Sequence, residues 1–326
     1  MIKEEEIKKI LVIQTAFIGD VILATSLLEK LNKRFPNAKI DMLVRKGNES
    51  LLQDHPFLNC ILVWNKKQNK LSNLFKITKQ VRSNKYDLLI NLQRFLSSGL
   101  IASFSSAKEI RGFSKNPMSL FFSKSFEHEI SADSNGQHEI FRNDILIKDL
   151  SNAKVEKPKL YPSEDAFKKL KVKGKYITIA PSSVWFTKQL PSDKWVVLLN
   201  KIPSDIEVFL LGAPDDVTLC EDLSQKSSHP NIKVMASKLT LLESAALMAN
   251  AAMNYVNDSA PLHLASAMNA PVTAFFCSTV PAFGFGPLSD IQTIKQVDKK
   301  LACRPCGITG KKQCPLGHFD CSKIEI

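Results

Sequence analysis

A short apolar run, Ile10 to Gln14, gives way to the loop Thr15-Ala16-Phe17-Ile18-Gly19-Asp20, after which Val21, Ala24, Leu28 and Leu31 recur at helical spacing. Pro36 and Asn37 end that helix, and Lys39 to Val44 reads as a second strand. Two strands joined through a helix must run parallel, and parallel strands need cover on both faces, so this one unit commits the chain to a doubly wound α/β sheet. Ile61 to Trp64 and Asp87 to Asn91 extend it. The same order begins again after the lysine- and proline-rich stretch from Lys154 to Pro162: strands at 176–180, 207–211, 253–256 and 272–276 alternate with helices at 193–201, 241–249 and 261–268. At 326 residues the chain exceeds one ordinary core. The expectation is two doubly wound domains, 1–160 and 161–300, facing across a cleft, with 301–326 as a cysteine-rich terminal segment.

Composition narrows the classes. Apolar residues at 44% and charged residues at 23% fit a globular protein rather than a disordered one. The opening MIKEEEIKKI lacks the order of a signal peptide, and the longest apolar stretch, Ala245 to Val256, is too short to span a bilayer. A cytoplasmic location is expected. The formal charge of +12 calls for an anionic partner. Seven of the cations (Lys66, Lys67, Lys70, Lys76, Lys79, Arg82 and Lys85) fall between Asn65 and Tyr86 without an acid, while Leu71, Leu74, Phe75, Thr78 and Val81 keep helical spacing. That stretch reads as an amphipathic helix, either a solvated face over a core stripe or a peripheral contact with an anionic membrane.

In open parallel sheets, chemistry gathers in loops at the carboxyl ends of strands. Three such loops stand out. Asp20, at the start of a helix, is either a first-turn residue satisfying free amides or a general base taking a proton from an attacking hydroxyl. The loop Pro181 to Pro191 offers Ser182, Ser183, Thr187 and Lys188, a set able to hold the charge of a departing diphosphate, or else forms a polar surface loop. The loop Asn257 to His263 runs into a helix with Pro261 in its first turn, so the amides of Ser259 and Ala260 offer an anion site. Asp258, being negative, suits sugar hydroxyls better than phosphate. His263 is a packed histidine or a ligand contact. A single glycine in the first loop is not a dinucleotide fingerprint.

These three loops, in this order, resemble glycosyltransferase family 9, the ADP-heptose:lipopolysaccharide heptosyltransferases. The resemblance is carried by Ile13 to Val21, Phe35-Pro36, Ala180-Pro181 with Lys188 and Pro191, Leu210 to Asp216, and Asn257 to Ala265. It implies a GT-B enzyme that transfers a sugar, heptose from ADP-heptose, with inversion onto a lipopolysaccharide inner-core acceptor and with no catalytic cofactor. The first domain would bind an anionic, lipid-linked saccharide and the second the nucleotide diphosphate sugar. On this resemblance Asp20 is the base, Ser182, Ser183 and Lys188 meet the diphosphate, and Asp258 to His263 hold sugar and phosphates. Ala260 stands where many members have glycine, which implies an altered donor preference. Related chains often continue past the position of Ile326 into a returning helix, so closure is expected to be braced differently.

Cys303, Cys306, Cys314 and Cys321 lie within nineteen residues. In a cytosolic chain such clustering points to structural zinc, with reduced thiols or two disulfides as the other readings and His318 as an alternative ligand. Two further readings stay open. A nucleic-acid-binding protein with a zinc tail would explain charge and cysteines, but no aromatic residues interleave with the basic run as in a stacking platform, so nucleic acid is not expected. A catalytically silent homologue would bind nucleotide as a scaffold subunit, against which Asp20 and Lys188 argue.

Overall fold

A computed structural model describes residues 4–132, 137–169, 172 and 174–326. The chain forms two units, each described by itself. The first comprises Met1–Glu129 and Glu139–Tyr161; the second comprises Ile130–His138 and Pro162–Ile326.

The first unit contains β1 (Lys9–Ile13), α1 (Ile18–Arg34), β2 (Lys39–Arg45), β3 (Leu58–Trp64), α2 (Lys70–Ser83), β4 (Leu88–Asn91), α3 (Leu96–Ser103), β5 (Glu109–Phe113), β6 (Lys124–Phe126) and α4 (Glu139–Asp144). Its strands form one parallel sheet in the order β3-β2-β1-β4-β5-β6. The chain winds outward from β1 in one direction and from β4 in the other, and right-handed crossovers going opposite ways cover opposite faces. Central strands are therefore shut off from water on both sides: Ile10 to Ile13 and Leu88 to Asn91 are fully buried. This is why they read as continuous apolar runs rather than alternating ones. Leu11, Ile13, Leu43, Leu62, Trp64 and Leu89 pack with Ile77 and Val81 of α2, each buried aliphatic side chain contributing about 1.5–3 kcal/mol.

The second unit contains α5 (Glu164–Lys169), β7 (Tyr176–Ala180), α6 (Ser192–Lys201), β8 (Glu207–Leu210), α7 (Val217–Lys226), β9 (Ile232–Val234), α8 (Leu241–Ala249), β10 (Met253–Asn257), α9 (Ala260–Ala267), β11 (Val272–Phe276) and β12 (Gln292–Gln296). Its parallel sheet has the order β9-β8-β7-β10-β11-β12. Counted from its own first strand, that order is the same as in the first unit. Trp195 of α6 anchors the core, edge-on to Phe275 at 5.1 Å. The cysteine-rich end is part of this core, since Cys321 and Ile324 are buried in it and Leu301, Phe319 and Ile326 pack against it.

The stretch 154–161 lies along α1: Thr25 Oγ1 accepts Lys159 N–H at 2.9 Å, Ser26 Oγ donates to the Glu156 carbonyl at 2.7 Å, and Tyr161 donates to Glu29 at 2.8 Å. In α2 the buried side chains are Ile77 and Val81. Leu71 and Phe75, which the sequence leaves open between a core stripe and a membrane contact, are 80% and 72% exposed. Among the described residues, no helix is long and apolar enough to cross a membrane.

Candidate active site

In each sheet the winding reverses between two central strands, β1 and β4 in the first unit and β7 and β10 in the second. At such a switch point neighbouring loops leave in opposite directions and open a crevice. All three loops singled out from the sequence follow one of these four strands.

The loop after β1 brings the chain into α1 with Asp20 in its first turn. Asp20 Oδ2 accepts the Phe17 N–H at 3.1 Å, closing the helix start. One oxygen thus caps the helix start, the first of the two roles read from the sequence, and the group remains half-buried. Burial, reinforced by the negative charge of Glu139, pushes its carboxyl up to about 6, against the pull of the Phe17 amide and of Arg45. Glu139 itself is held ionised against its burial by His128, at 3.2 Å, and by Arg142, at 2.7 Å. Asp20 therefore stands where burial and the Glu139 charge outweigh the attraction of Arg45, the condition for a carboxylate that takes up a proton near neutrality.

Beside this loop stand groups the sequence reading passed over. Lys66, counted there as part of a basic helical face, precedes α2 and donates its ammonium to the Thr15 carbonyl at 2.8 Å and hydroxyl at 2.9 Å. Burial and neighbouring cations lower it to about 8. Arg45 stacks over the exposed Phe17 ring at 4.8 Å. At the ends of β1 and β4 the Gln93 amide donates to Gln14, and Asn116 donates to the Gln93 carbonyl at 2.9 Å. Asn91 Nδ2 and Gln93 Oε1 are buried without a protein partner. Buried amides next to a strand end were the available signal, and apolar periodicity hides them.

In the second unit the structure brings Lys188 and Asp258 together: Lys188 Nζ meets Asp258 Oδ2 at 2.7 Å, with both side chains largely shielded from water. The same oxygen accepts the Thr279 hydroxyl at 2.6 Å. Asn257 ties the two loops, its amide donating to the Pro181 carbonyl at 2.7 Å while its Oδ1 accepts the Leu190 N–H at 2.9 Å. Ser182 and Ser183 lie half-buried in the loop after β7. Ser259 is the extended residue before α9 and Ala260 its first residue, leaving first-turn amides of that helix at the same loop. Thr187, by contrast, is buried, and its hydroxyl accepts Lys311 N–H at 2.7 Å and the Ser278 hydroxyl at 3.0 Å. It is a framework residue of this loop rather than a free hydroxyl. His263, also buried, is pulled down to about 4 by desolvation and stays neutral at ordinary pH. The sequence pass missed Asn257's bridging role and Thr279.

The terminal cysteines are free thiols. Cys303 Sγ lies 3.9 Å from His318 Nε2, and Cys306 Sγ is 3.3 Å from the Cys303 carbonyl. Among the described residues, no three His, Cys, Asp or Glu side chains are gathered as a metal centre requires.

Comparison with known proteins gives a consistent picture. Residues 74–319 match the family described as glycosyltransferase family 9 (heptosyltransferase). Among curated proteins, lipopolysaccharide heptosyltransferase 3 of Escherichia coli is 27% identical over 279 residues, covering 81% of this chain and 82% of that protein. Among solved structures, a family 9 glycosyl transferase from Veillonella parvula superposes with a TM-score of 0.78 at 20% identity, covering 90% of this chain and 86% of that one. The ADP-heptose lipopolysaccharide heptosyltransferase II of E. coli superposes with a TM-score of 0.76 at 20% identity, covering 91% and 95%.

Proposed function

Because this chain belongs to glycosyltransferase family 9, we propose that it moves a heptose from ADP-heptose onto a lipopolysaccharide inner-core acceptor, with inversion and with Asp20 as the general base. The observation that carries the reading is the Asp20 carboxyl, raised to about 6 in the first turn of α1 at the switch point of its sheet. The base takes the proton of an acceptor hydroxyl as that oxygen attacks the anomeric carbon, while the bond to the diphosphate breaks and negative charge moves onto ADP. Lys188, with the amides at the start of α9 and the hydroxyls of Ser182 and Ser183, receives that charge. An ammonium has three donors, so Lys188 keeps its bond to Asp258 and still reaches a phosphate oxygen. Asp258 and the neutral His263 face the sugar end, and the first unit takes the acceptor. Catalysis on this reading uses no metal.

The acceptor's lipid end sets where the enzyme works. Leu71, Phe75 and Arg82 share one exposed line on α2, flanked by Lys79, which suits a peripheral seat on an anionic membrane of the cytoplasmic side. The cysteine segment supports structural zinc held by Cys303, Cys306, Cys314 and Cys321. The backbone N–H groups from Leu316 to Phe319 hold the Cys314 thiol below its ordinary range despite some desolvation, favouring the thiolate form a metal needs, whereas burial raises the Cys306 thiol and pushes Cys321 up to about 11. Zinc would require the sulfurs to converge from their present positions, and metal content of the purified protein, near one equivalent or none, decides it.

The main reading is tested by thermal stabilisation with ADP, UDP, GDP and CMP, for the natural protein and for Asp20→Asn, together with turnover of ADP-heptose. A selective shift with ADP in both proteins, and turnover in the natural one alone, is expected. A shift with ADP but no turnover of ADP-heptose in the natural protein would leave a catalytically silent scaffold as the better account, and no shift with any nucleotide would overturn the donor reading.

A further inference from the structure

Lys188 is held from two sides within the second unit. Its ammonium is fixed by Asp258 at 2.7 Å. Its methylene stem lies against Gly310 of the cysteine-rich segment: a Cβ added there would come within 2.8 Å of Lys188 Cγ, 3.1 Å of Cδ and 3.2 Å of Trp185 Cβ. Gly310 also sits at φ +78°, where other L-residues are strained. Glycine is thus required both for the backbone and for the room it leaves to the lysine.

One residue earlier in the donor loop and one later in the tail, the two strips of chain exchange hydrogen bonds. Thr187 N–H donates to the Lys311 carbonyl at 3.1 Å, and Lys311 N–H donates to Thr187 Oγ1 at 2.7 Å. Thr187 passes the constraint on: its carbonyl accepts Ser278 N–H at 3.1 Å and its Oγ1 accepts the Ser278 hydroxyl at 3.0 Å. The tail grips the loop after β11 as well. Cys306 N–H donates to the Ser278 carbonyl at 2.9 Å, while the Arg304 guanidinium donates to the carbonyls of Cys277 at 2.6 Å, Thr279 at 2.8 Å and Phe276 at 3.0 Å. Thr279 is the residue whose hydroxyl orients Asp258. Both members of the Lys188–Asp258 pair are therefore reached from one terminal segment by separate routes.

We propose that the cysteine-rich segment is a positioning clamp for the donor site, with Gly310 and Thr187 setting the Lys188 stem and Arg304 setting the strand end that presents Thr279 to Asp258. The inference rests on the reading that Lys188 meets the donor diphosphate. A lysine stem left free samples many rotamers, and a ligand that binds it must order them; a stem already packed on Gly310 has lost that freedom before the donor arrives. The clamp thus acts on donor affinity more than on the chemical step.

The test compares Gly310→Ala, Thr187→Val, Thr187→Ser and Lys188→Ala by donor KM and kcat with ADP-heptose, ADP affinity by calorimetry, and Tm. Gly310→Ala and Thr187→Val should raise donor KM and weaken ADP about tenfold, with kcat within about twofold and Tm lowered by only a few degrees. Thr187→Ser, which keeps the oxygen, should restore the natural KM. If both clamp variants fold and keep the natural donor KM, the clamp is wrong. Should Gly310→Ala fail to fold, the Thr187 pair decides alone, and equal KM values in Val and Ser overturn the proposal. ADP affinity unchanged in Lys188→Ala overturns the donor-lysine reading and the clamp with it, whereas a weakened Lys188→Ala beside normal clamp variants overturns the clamp only.

Discussion

The two sheets share one strand order, yet their switch points are furnished in opposite ways. In the first, burial and the charge of Glu139 outweigh the pull of the Phe17 N–H, of Asp20's own N–H and of Arg45 on a single carboxylate, so that its proton affinity rises. In the second, a cation and a carboxylate are paired at 2.7 Å and braced by Thr279, Asn257 and the terminal segment. A topology supplies the crevice; the donors that reach its charged groups set what each group can do. Every donor that a buried carboxylate gains makes it a weaker base, so on the proposed reading Asp20 itself takes few donors while Lys66 and Gln93 tie the loop and strand end around it. A group that receives a diphosphate gains from being fixed in advance, which on the same reading is what the bracing of Lys188 and Asp258 supplies.

The sharpest way to break this contrast is to remove the carboxylate's charge while keeping its shape. Asp20→Asn retains an oxygen for the Phe17 N–H, so fold and ADP affinity should stay within about twofold while kcat falls by about 10²–10⁴. In the natural enzyme kcat/KM should fall tenfold per pH unit below an inflection near 6, because protonated Asp20 cannot act as base. A variant that keeps its kcat, or an acid limb that appears only near pH 4, would return Asp20 to the role of a helix-start residue.

Much of this contrast was readable in advance, for a physical reason. Fully buried parallel strands must be continuous apolar runs, so β1, β2, β7, β10 and β11 announce themselves, and Pro261 marks the start of α9. Weak or exposed strands do not: β12, Gln292–Gln296, is exposed along its whole length, and β6 and β9 are three residues each. Asp258 is conspicuous because it closely follows an apolar run, whereas Asp20 and Lys188 stand out only from the loops that follow strands and from the family resemblance. That Lys188 and Asp258 pair, that Thr187 is turned inward, and that Gly310 reaches Lys188 depends on contacts between segments about seventy to one hundred and twenty residues apart in the chain, and spacing carries no trace of these. Nor does helical periodicity say which flank of an apolar stripe meets the core, and so the sequence leaves Leu71 and Phe75 between a core stripe and an outward-facing one.

The exposure of that flank leads to the next prediction, of middling size, which extends the contrast to the outer surface of the first unit. Each exposed apolar side chain entering an interface is worth up to about 1.5–3 kcal/mol when fully buried, and each nearby cation about 1 kcal/mol on an anionic surface. Co-sedimentation with vesicles containing phosphatidylglycerol should exceed that with pure phosphatidylcholine, and should fall about tenfold in a Leu71→Ser, Phe75→Ser double variant if insertion is partial. Equal binding by the natural and double-variant proteins would leave α2 as a solvated face.

The smallest effect concerns stability, and its sign separates a strained carboxylate from an ordinary one. The Asp20 carboxyl is raised from 3.8 to about 6 on folding. A group with a raised folded-state pKa contributes stability that is fully present below its unfolded value and is lost as pH rises through the folded one. The natural protein therefore forfeits that contribution between about pH 4 and pH 7, while the Asn variant, which does not titrate, forfeits nothing. The Tm of Asp20→Asn relative to the natural protein should accordingly be higher at pH 8 than at pH 4.5, by a few degrees, with most of the change falling between about pH 4 and pH 6. A difference in Tm that stays constant across this range would mean that folding leaves the carboxyl's proton affinity where it was, and the poised base of the first sheet would lose the property that distinguishes it from the second.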